Sequence, residues 1–174
     1  MTAIAVKRTS TEVIMSCDQL GSNGHGRTVV KTPKIFQVDG WLVGYTSSFR
    51  MGDLLRYTFT FPLAKPDLDE DVYMRTLFVT ALRECLKAGG YAKTENGEES
   101  GGCFLVASKT NIYEVQADFS VLTVAREYHA VGSGAEVCLG AMFAGATPAE
   151  AIAAAESHIV TVGNGVSTLT IPLT

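Results

Sequence analysis

The pair Asp39-Gly40 constrains the fold more than any other feature of this chain. It stands between two apolar runs, Lys34-Ile35-Phe36-Gln37-Val38 and Trp41-Leu42-Val43-Gly44-Tyr45. An Asp-Gly pair in that setting supplies the left-handed backbone that a tight hairpin turn needs, so the two runs are expected to be antiparallel neighbours. A second hairpin opens the chain. Ile4 and Val6, then Val13 and Ile14, alternate with polar residues on either side of Thr9-Ser10-Thr11. The stretch Gly21-Ser22-Asn23-Gly24-His25-Gly26 reads as a loop.

Beyond Ser47-Ser48 the period changes from two to helical. Met51, Leu54 and Leu55 mark one helix, which Pro62 and Pro66 keep from continuing. A second helix is marked by Met74, Leu77, Phe78, Ala81, Leu82, Cys85 and Leu86 on one face. The acidic run Asp69-Glu70-Asp71 suits its positive end, and Gly89-Gly90 stops it. Residues 93–102 are polar and glycine-containing and read as a loop. Short strands follow over 103–107, 112–116, 121–125 and 128–131. Gly132-Ser133-Gly134 leads into an Ala-rich helix. Thr147-Pro148-Ala149-Glu150 is a capping box with proline at the first helical position, so another helix starts there. Gly163-Asn164-Gly165 precedes a last strand over 167–172. The order is strands, two helices, strands, two helices, strand. It implies an α+β fold with helix layers outside sheet layers.

Composition narrows the functional classes. The 174 residues suit one domain spanning 1–174, with no linker, repeat or low-complexity tract. A net charge of −4 leaves no electrostatic footprint for nucleic acid or an anionic membrane surface. No apolar run is long enough to span a bilayer, and the first residues lack the order of a signal peptide. Cys17, Cys85, Cys103 and Cys138 form no C-x-x-C pair and read as free thiols of a cytoplasmic protein. His25, His129 and His158 show no zinc-ligand spacing, and His129 reads as structural. Charged residues make up 18% of the chain, below the usual quarter, which points to surface buried against other copies.

With cysteine–histidine pairs, metal clusters and phosphate loops absent from the sequence, one catalytic option remains. Removal of Met1 exposes Thr2, which then carries a hydroxyl nucleophile and a free α-amine on one residue. The amine serves as the base that activates the hydroxyl. A nearby lysine ammonium lowers both pKa values, and a carboxylate holds the lysine in place. Asp18 ends the second strand, sixteen positions after Thr2, and Lys34 opens the third, thirty-two positions after it. Taken singly, these are a terminal strand residue, a turn former and a solvated edge lysine. Strands that run out, back and across would bring all three to one end of a sheet.

At those spacings the chain resembles the N-terminal-threonine hydrolases of the proteasome β-subunit and HslV group. Val13-Ile14-Met15-Ser16-Cys17-Asp18 is similar to the family's strand ending in Asp, and Lys34 to Val38 to its lysine-bearing strand. Leu42 to Ser48, followed by Gly52-Asp53-Leu54-Leu55, is similar to its strand-to-helix junction. Ala130-Val131-Gly132-Ser133-Gly134 is similar to its Gly-Ser-Gly segment. The resemblance runs from Thr2 to Ser167 and implies a four-layer αββα sandwich of two antiparallel sheets. It implies Thr2 as nucleophile, Asp18 and Lys34 as its tuning pair, Ser133 beside the amine and the backbone at Ser48 as oxyanion donor. It also implies Asn164 and Ser167 as supporting residues. It requires no cofactor, and it allows a structural sodium or magnesium ion on carbonyls at Thr161, Asn164 and Ser167. The implied assembly is a homo-oligomeric ring or double ring that degrades peptides or unfolded proteins, with an ATP-dependent unfoldase among the expected partners.

Two departures stand out. Ser48 replaces the family's usual glycine, and a serine does not easily take a positive φ. Asn164 replaces an aspartate and loses its charge. These departures motivate a second reading, a catalytically inactive scaffold or binding subunit. A third is an Ntn amidase acting on a small amide.

Overall fold

The computed structural model describes residues 2–22 and 25–173. The opening hairpin is β1 (Ala3–Arg8) and β2 (Glu12–Asp18). Two short strands follow, β3 (Leu20–Ser22) and β4 (Arg27–Val29), paired with each other. Gly21 and Ser22 are therefore strand, not loop, while Asn23 and Gly24 lie outside the described residues. The Asp39-Gly40 turn joins β5 (Ile35–Val38) to β6 (Trp41–Tyr45), as its sequence requires. Both turn residues have positive φ, 48° and 84°.

The helical layer that follows is α1 (Phe49–Tyr57), α2 (Glu70–Tyr73), a π-turn over Met74–Phe78, and α3 (Val79–Ala88). The last three run continuously. Asp69 caps them by accepting the Val72 amide at 3.1 Å. The wider π-turn shifts the helical phase, so Met74, Phe78, Leu82 and Leu86 face the core while Leu77, expected there, is 40% exposed. Residues 93–102, expected as loop, contain the hairpin β7 (Lys93–Glu95) and β8 (Glu98–Ser100). Its turn is Asn96-Gly97, with φ of 51° and 85°. Charged strands hid the signal, but the Asn-Gly turn carries it.

The remaining elements are β9 (Phe104–Ala107), β10 (Ile112–Val115), β11 (Val121–Thr123), β12 (Tyr128–Gly132), α4 (Ala135–Phe143), α5 (Pro148–His158) and β13 (Val166–Pro172). Thr147 and Glu150 form the full capping box on α5. One antiparallel sheet has the order β12-β1-β2-β13 and the other β11-β10-β9-β6-β5. Ile4, Val6, Val13 and Met15 of the first sheet pack against Ile35, Leu42, Leu105 and Ile112 of the second. The period of two sends Ala3 and Ala5 to the opposite face, onto Cys138, Met142, Ile152 and Ala155 of α4 and α5. Met51, Leu54, Phe78, Leu82 and Leu86 cover the outer face of the second sheet at Val43, Phe104, Val106 and Tyr113. The result is the expected four-layer αββα sandwich of two antiparallel sheets flanked by helices.

Candidate active site

Sheet register decides where the first residues of the chain go. β1 lies between β12 and β2, with Ala3 opposite Gly132 and Ile4 opposite Cys17. Thr2 therefore sits at the sheet end where β2 finishes at Asp18 and β13 begins at Val166, opposite Asp18. Lys34 precedes β5, the edge strand of the second sheet. It crosses the gap between sheets to reach the same end.

Thr2, Asp18 and Lys34 meet there and are buried, at 2%, 0% and 2% exposure. The Thr2 hydroxyl donates to Asp18 Oδ1 at 2.6 Å and accepts from Lys34 Nζ. Lys34 Nζ also donates to Asp18 Oδ1 at 2.6 Å. The Ala3 amide adds a third donor to that oxygen at 3.0 Å. The other carboxylate oxygen, Oδ2, receives the amides of Leu20 at 3.2 Å and Gly163 at 3.3 Å. Asp18 thus has hydrogen bonds on both oxygens and a cation beside it, as a buried carboxylate needs. The sequence pattern named the three side chains. It could not name the backbone donors, which any residue type could supply.

Burial lowers the Lys34 pKa from its ordinary value, and the bond to Asp18 partly opposes the shift. An ammonium that releases its proton more readily than a free lysine can trade protons with a neighbouring hydroxyl. Burial pushes the nearby Cys17 thiol up to about 11, so it is no competing nucleophile at neutral pH.

The Gly-Ser-Gly segment fixes the backbone of Thr2. Gly132 has φ +96°, and a Cβ there would lie 2.2 Å from the Thr2 carbonyl oxygen, so no other residue fits. The Ser133 hydroxyl and the Gly134 amide both donate to that carbonyl at 3.3 Å. The Ser133 hydroxyl also pairs with Thr161 Oγ1 at 2.8 Å. Ser133 therefore meets Thr2 at its carbonyl oxygen, whereas the resemblance implied a place beside the α-amine.

Thr2 and Lys34 open onto a pocket lined also by Ser22, Tyr45, Thr46, Ser47, Ser48 and Phe49. Ser48 has φ −150°, an ordinary extended value, and it caps α1 by accepting the Arg50 amide. The positive φ expected to trouble Ser48 falls instead on Ser47, at 64°. The Ser48 amide donates to Thr46 O at 2.6 Å, which closes a γ-turn around Ser47.

Asn164 lies on the segment between α5 and β13, and Ser167 is the second residue of β13, opposite Cys17. The Asn164 amide donates to Glu156 at 2.9 Å, and the Ser167 hydroxyl accepts from Gln19 at 2.8 Å. Asn164 adopts a left-handed φ of 65°. This segment reaches Asp18 through the Gly163 amide and Ser133 through the Thr161 hydroxyl. No group of three His, Cys, Asp or Glu side chains among the described residues is placed to hold a metal. The hydroxyls of Thr161 and Ser167 are already paired, so only neutral carbonyls remain for a cation at Thr161, Asn164 and Ser167.

All four cysteines are free thiols, as their spacing suggested. His129 pairs with Glu114 at 2.6 Å, a link from β12 to β10 consistent with a structural role. No helix of the described residues is long and apolar enough to cross a membrane.

No family profile and no curated protein sequence matches the chain. Solved structures do. A BPH protein of Thiobacillus denitrificans superposes with a TM-score of 0.82 at 24% identity, over 99% of this chain and 98% of that one. The same protein is also known in complex with epoxomicin. A eukaryotic HslV of Trypanosoma brucei superposes with a TM-score of 0.65 at 17% identity, over 98% and 99% of the two chains. An Anbu (ancestral beta-subunit) of Yersinia bercovieri gives 0.67 at 11% identity, over 98% of this chain and 81% of that one. At these identities the likeness concerns architecture, and it agrees with the layers and register above. The chain therefore has the proteasome-like, HslV-like fold of the N-terminal nucleophile hydrolases.

Proposed function

We propose that the protein is an N-terminal threonine peptidase, with Thr2 as nucleophile once Met1, which lies outside the described residues, has been removed. The observation that carries this reading is the buried contact of Thr2 Oγ1 with both Asp18 and Lys34 at a pocket. Thr2 Oγ attacks the scissile carbonyl while its proton passes to the α-amine, whose ordinary pKa is about 7.7–8.0. The amine returns the proton to the leaving amine as the C–N bond breaks. Water then hydrolyses the ester on Thr2 and restores the hydroxyl. The Lys34 ammonium lowers the pKa of hydroxyl and amine, and Asp18 orients Lys34. Ser133 holds the Thr2 carbonyl, and the Ser48 amide stabilises the oxyanion. The epoxomicin complex of the Thiobacillus protein supports the same chemistry here.

A homo-oligomeric ring or double ring, an ATP-dependent unfoldase partner and a cytoplasmic location belong to this reading. So does a structural sodium or magnesium ion on the carbonyls of Thr161, Asn164 and Ser167. No chemical step requires that ion.

One observation favours a second reading, the catalytically inactive scaffold. The Ser48 amide, needed for the oxyanion, already has an acceptor in Thr46 O. Intact mass, N-terminal sequencing and hydrolysis of a fluorogenic peptide separate the two. The peptidase begins at Thr2, turns over peptide, takes up one epoxomicin on Thr2 and is silent as Thr2→Ala. Retained Met1 together with no turnover establishes the scaffold.

A further inference from the structure

The residue before the oxyanion donor is the unusual one. Ser47 is not glycine, yet it holds φ at 64°. Non-glycine residues seldom adopt that region, and those that do at a pocket wall point to a functional constraint. Its neighbours explain how it persists. The Ser47 hydroxyl accepts the Cys103 amide at 3.0 Å. Thr46 gives two hydrogen bonds back to Cys103 O, from its amide at 3.1 Å and its hydroxyl at 2.7 Å. Cys103 immediately precedes β9, so the γ-turn is tied to the central part of the second sheet. The hydroxyls of Thr46 and Ser47 lie 3.2 Å apart and complete the tie.

Resting on the peptidase reading above, we infer that Ser47 is the positioning residue for the Ser48 amide. Its hydroxyl, tethered to the Cys103 amide, maintains the left-handed backbone of the γ-turn that sets Ser48 at the pocket beside Thr2. When substrate binds, its carbonyl oxygen replaces Thr46 O as the acceptor of that amide. Ser47 itself touches neither the nucleophile nor the scissile bond. The placement also accounts for serine at 48. The demanding backbone conformation has moved one residue earlier, where a hydroxyl can secure it, so no glycine is needed at the donor.

Ser47→Ala removes the tether and keeps the unfavourable backbone. Ser47→Asn keeps an acceptor oxygen and tolerates left-handed φ. Expected for Ser47→Ala is a kcat at least tenfold lower, a KM within twofold of wild type and faster hydrogen exchange at the Ser48 amide. Ser47→Asn should recover most of both. Wild-type kcat in Ser47→Ala, or loss of kcat that Asn does not recover, overturns the assignment. Amide exchange separates this assignment from the peptidase reading. If wild type hydrolyses nothing, that reading fails, and unchanged Ser48 exchange in Ser47→Ala still overturns the role of Ser47.

Discussion

Lys34 Nζ lies 2.6 Å from Asp18 Oδ1, with the two side chains only 3% and 0% exposed. Asp18 ends a strand of one sheet and Lys34 immediately precedes a strand of the other, so this ion pair joins the layers of the sandwich at the end that carries Thr2. Removing one member of such a pair leaves a buried charge without a partner, at a cost of about 3–5 kcal/mol. Asp18→Ala and Lys34→Met should each lose that much stability in urea unfolding, and both should lose peptide hydrolysis. The double variant should lose less than the sum of the two. Additive losses in the cycle would mean that the pair is not coupled.

The same burial sets a pH dependence. Lys34 has a lower pKa folded than unfolded, mainly through burial. Between its folded value and the unfolded value of 10.5, the unfolded chain binds more protons. Stability linked to Lys34 is therefore complete above 10.5, and it is lost as pH falls through the folded value. Lys34→Met abolishes this linkage. The difference in thermal midpoint, wild type minus variant, should widen as pH rises through that window. A difference that is flat or shrinks with pH contradicts the assignment.

Gly132→Ala tests the seat of Thr2. The new Cβ meets the Thr2 carbonyl oxygen at 2.2 Å, and φ +96° is strained for alanine in any case. A loss of at least ~2 kcal/mol is expected from clash and strain together. Peptide hydrolysis should fall further than stability accounts for, because the displaced atom belongs to Thr2, the proposed nucleophile. Ala substitution at Gly140, where a Cβ meets nothing within 4 Å, serves as the control and should leave both properties near wild type.

Much of this architecture is legible in the sequence. Asp39-Gly40 announces its hairpin and Thr147 to Glu150 announces α5, because turn and cap chemistry is local. The spacing of Thr2, Asp18 and Lys34 is legible too, since strand lengths fix which residues end a sheet together. Other features resist such reading. Leu77 follows the helical pattern yet turns outward, because the π-turn resets the phase. Asn96-Gly97 is overlooked because the strands beside it are charged and pack against little. The positive φ belongs to Ser47 and not to Ser48, because hydrogen bonds from Cys103, far away in sequence, select it.

The sequence by itself determined the alternation of strands and helices, and the three side chains that could form a threonine nucleophile. Period, turn residues and caps act over a few positions, so they are written in the order of residues. Only the tertiary structure decided how the site is held. The Asp18 carboxylate is satisfied by the amides of Ala3, Leu20 and Gly163. The Thr2 carbonyl rests on Ser133 and Gly134. The γ-turn at Ser47 is fixed by Cys103. Backbone donors carry no residue identity, and their positions follow from how two sheets pack.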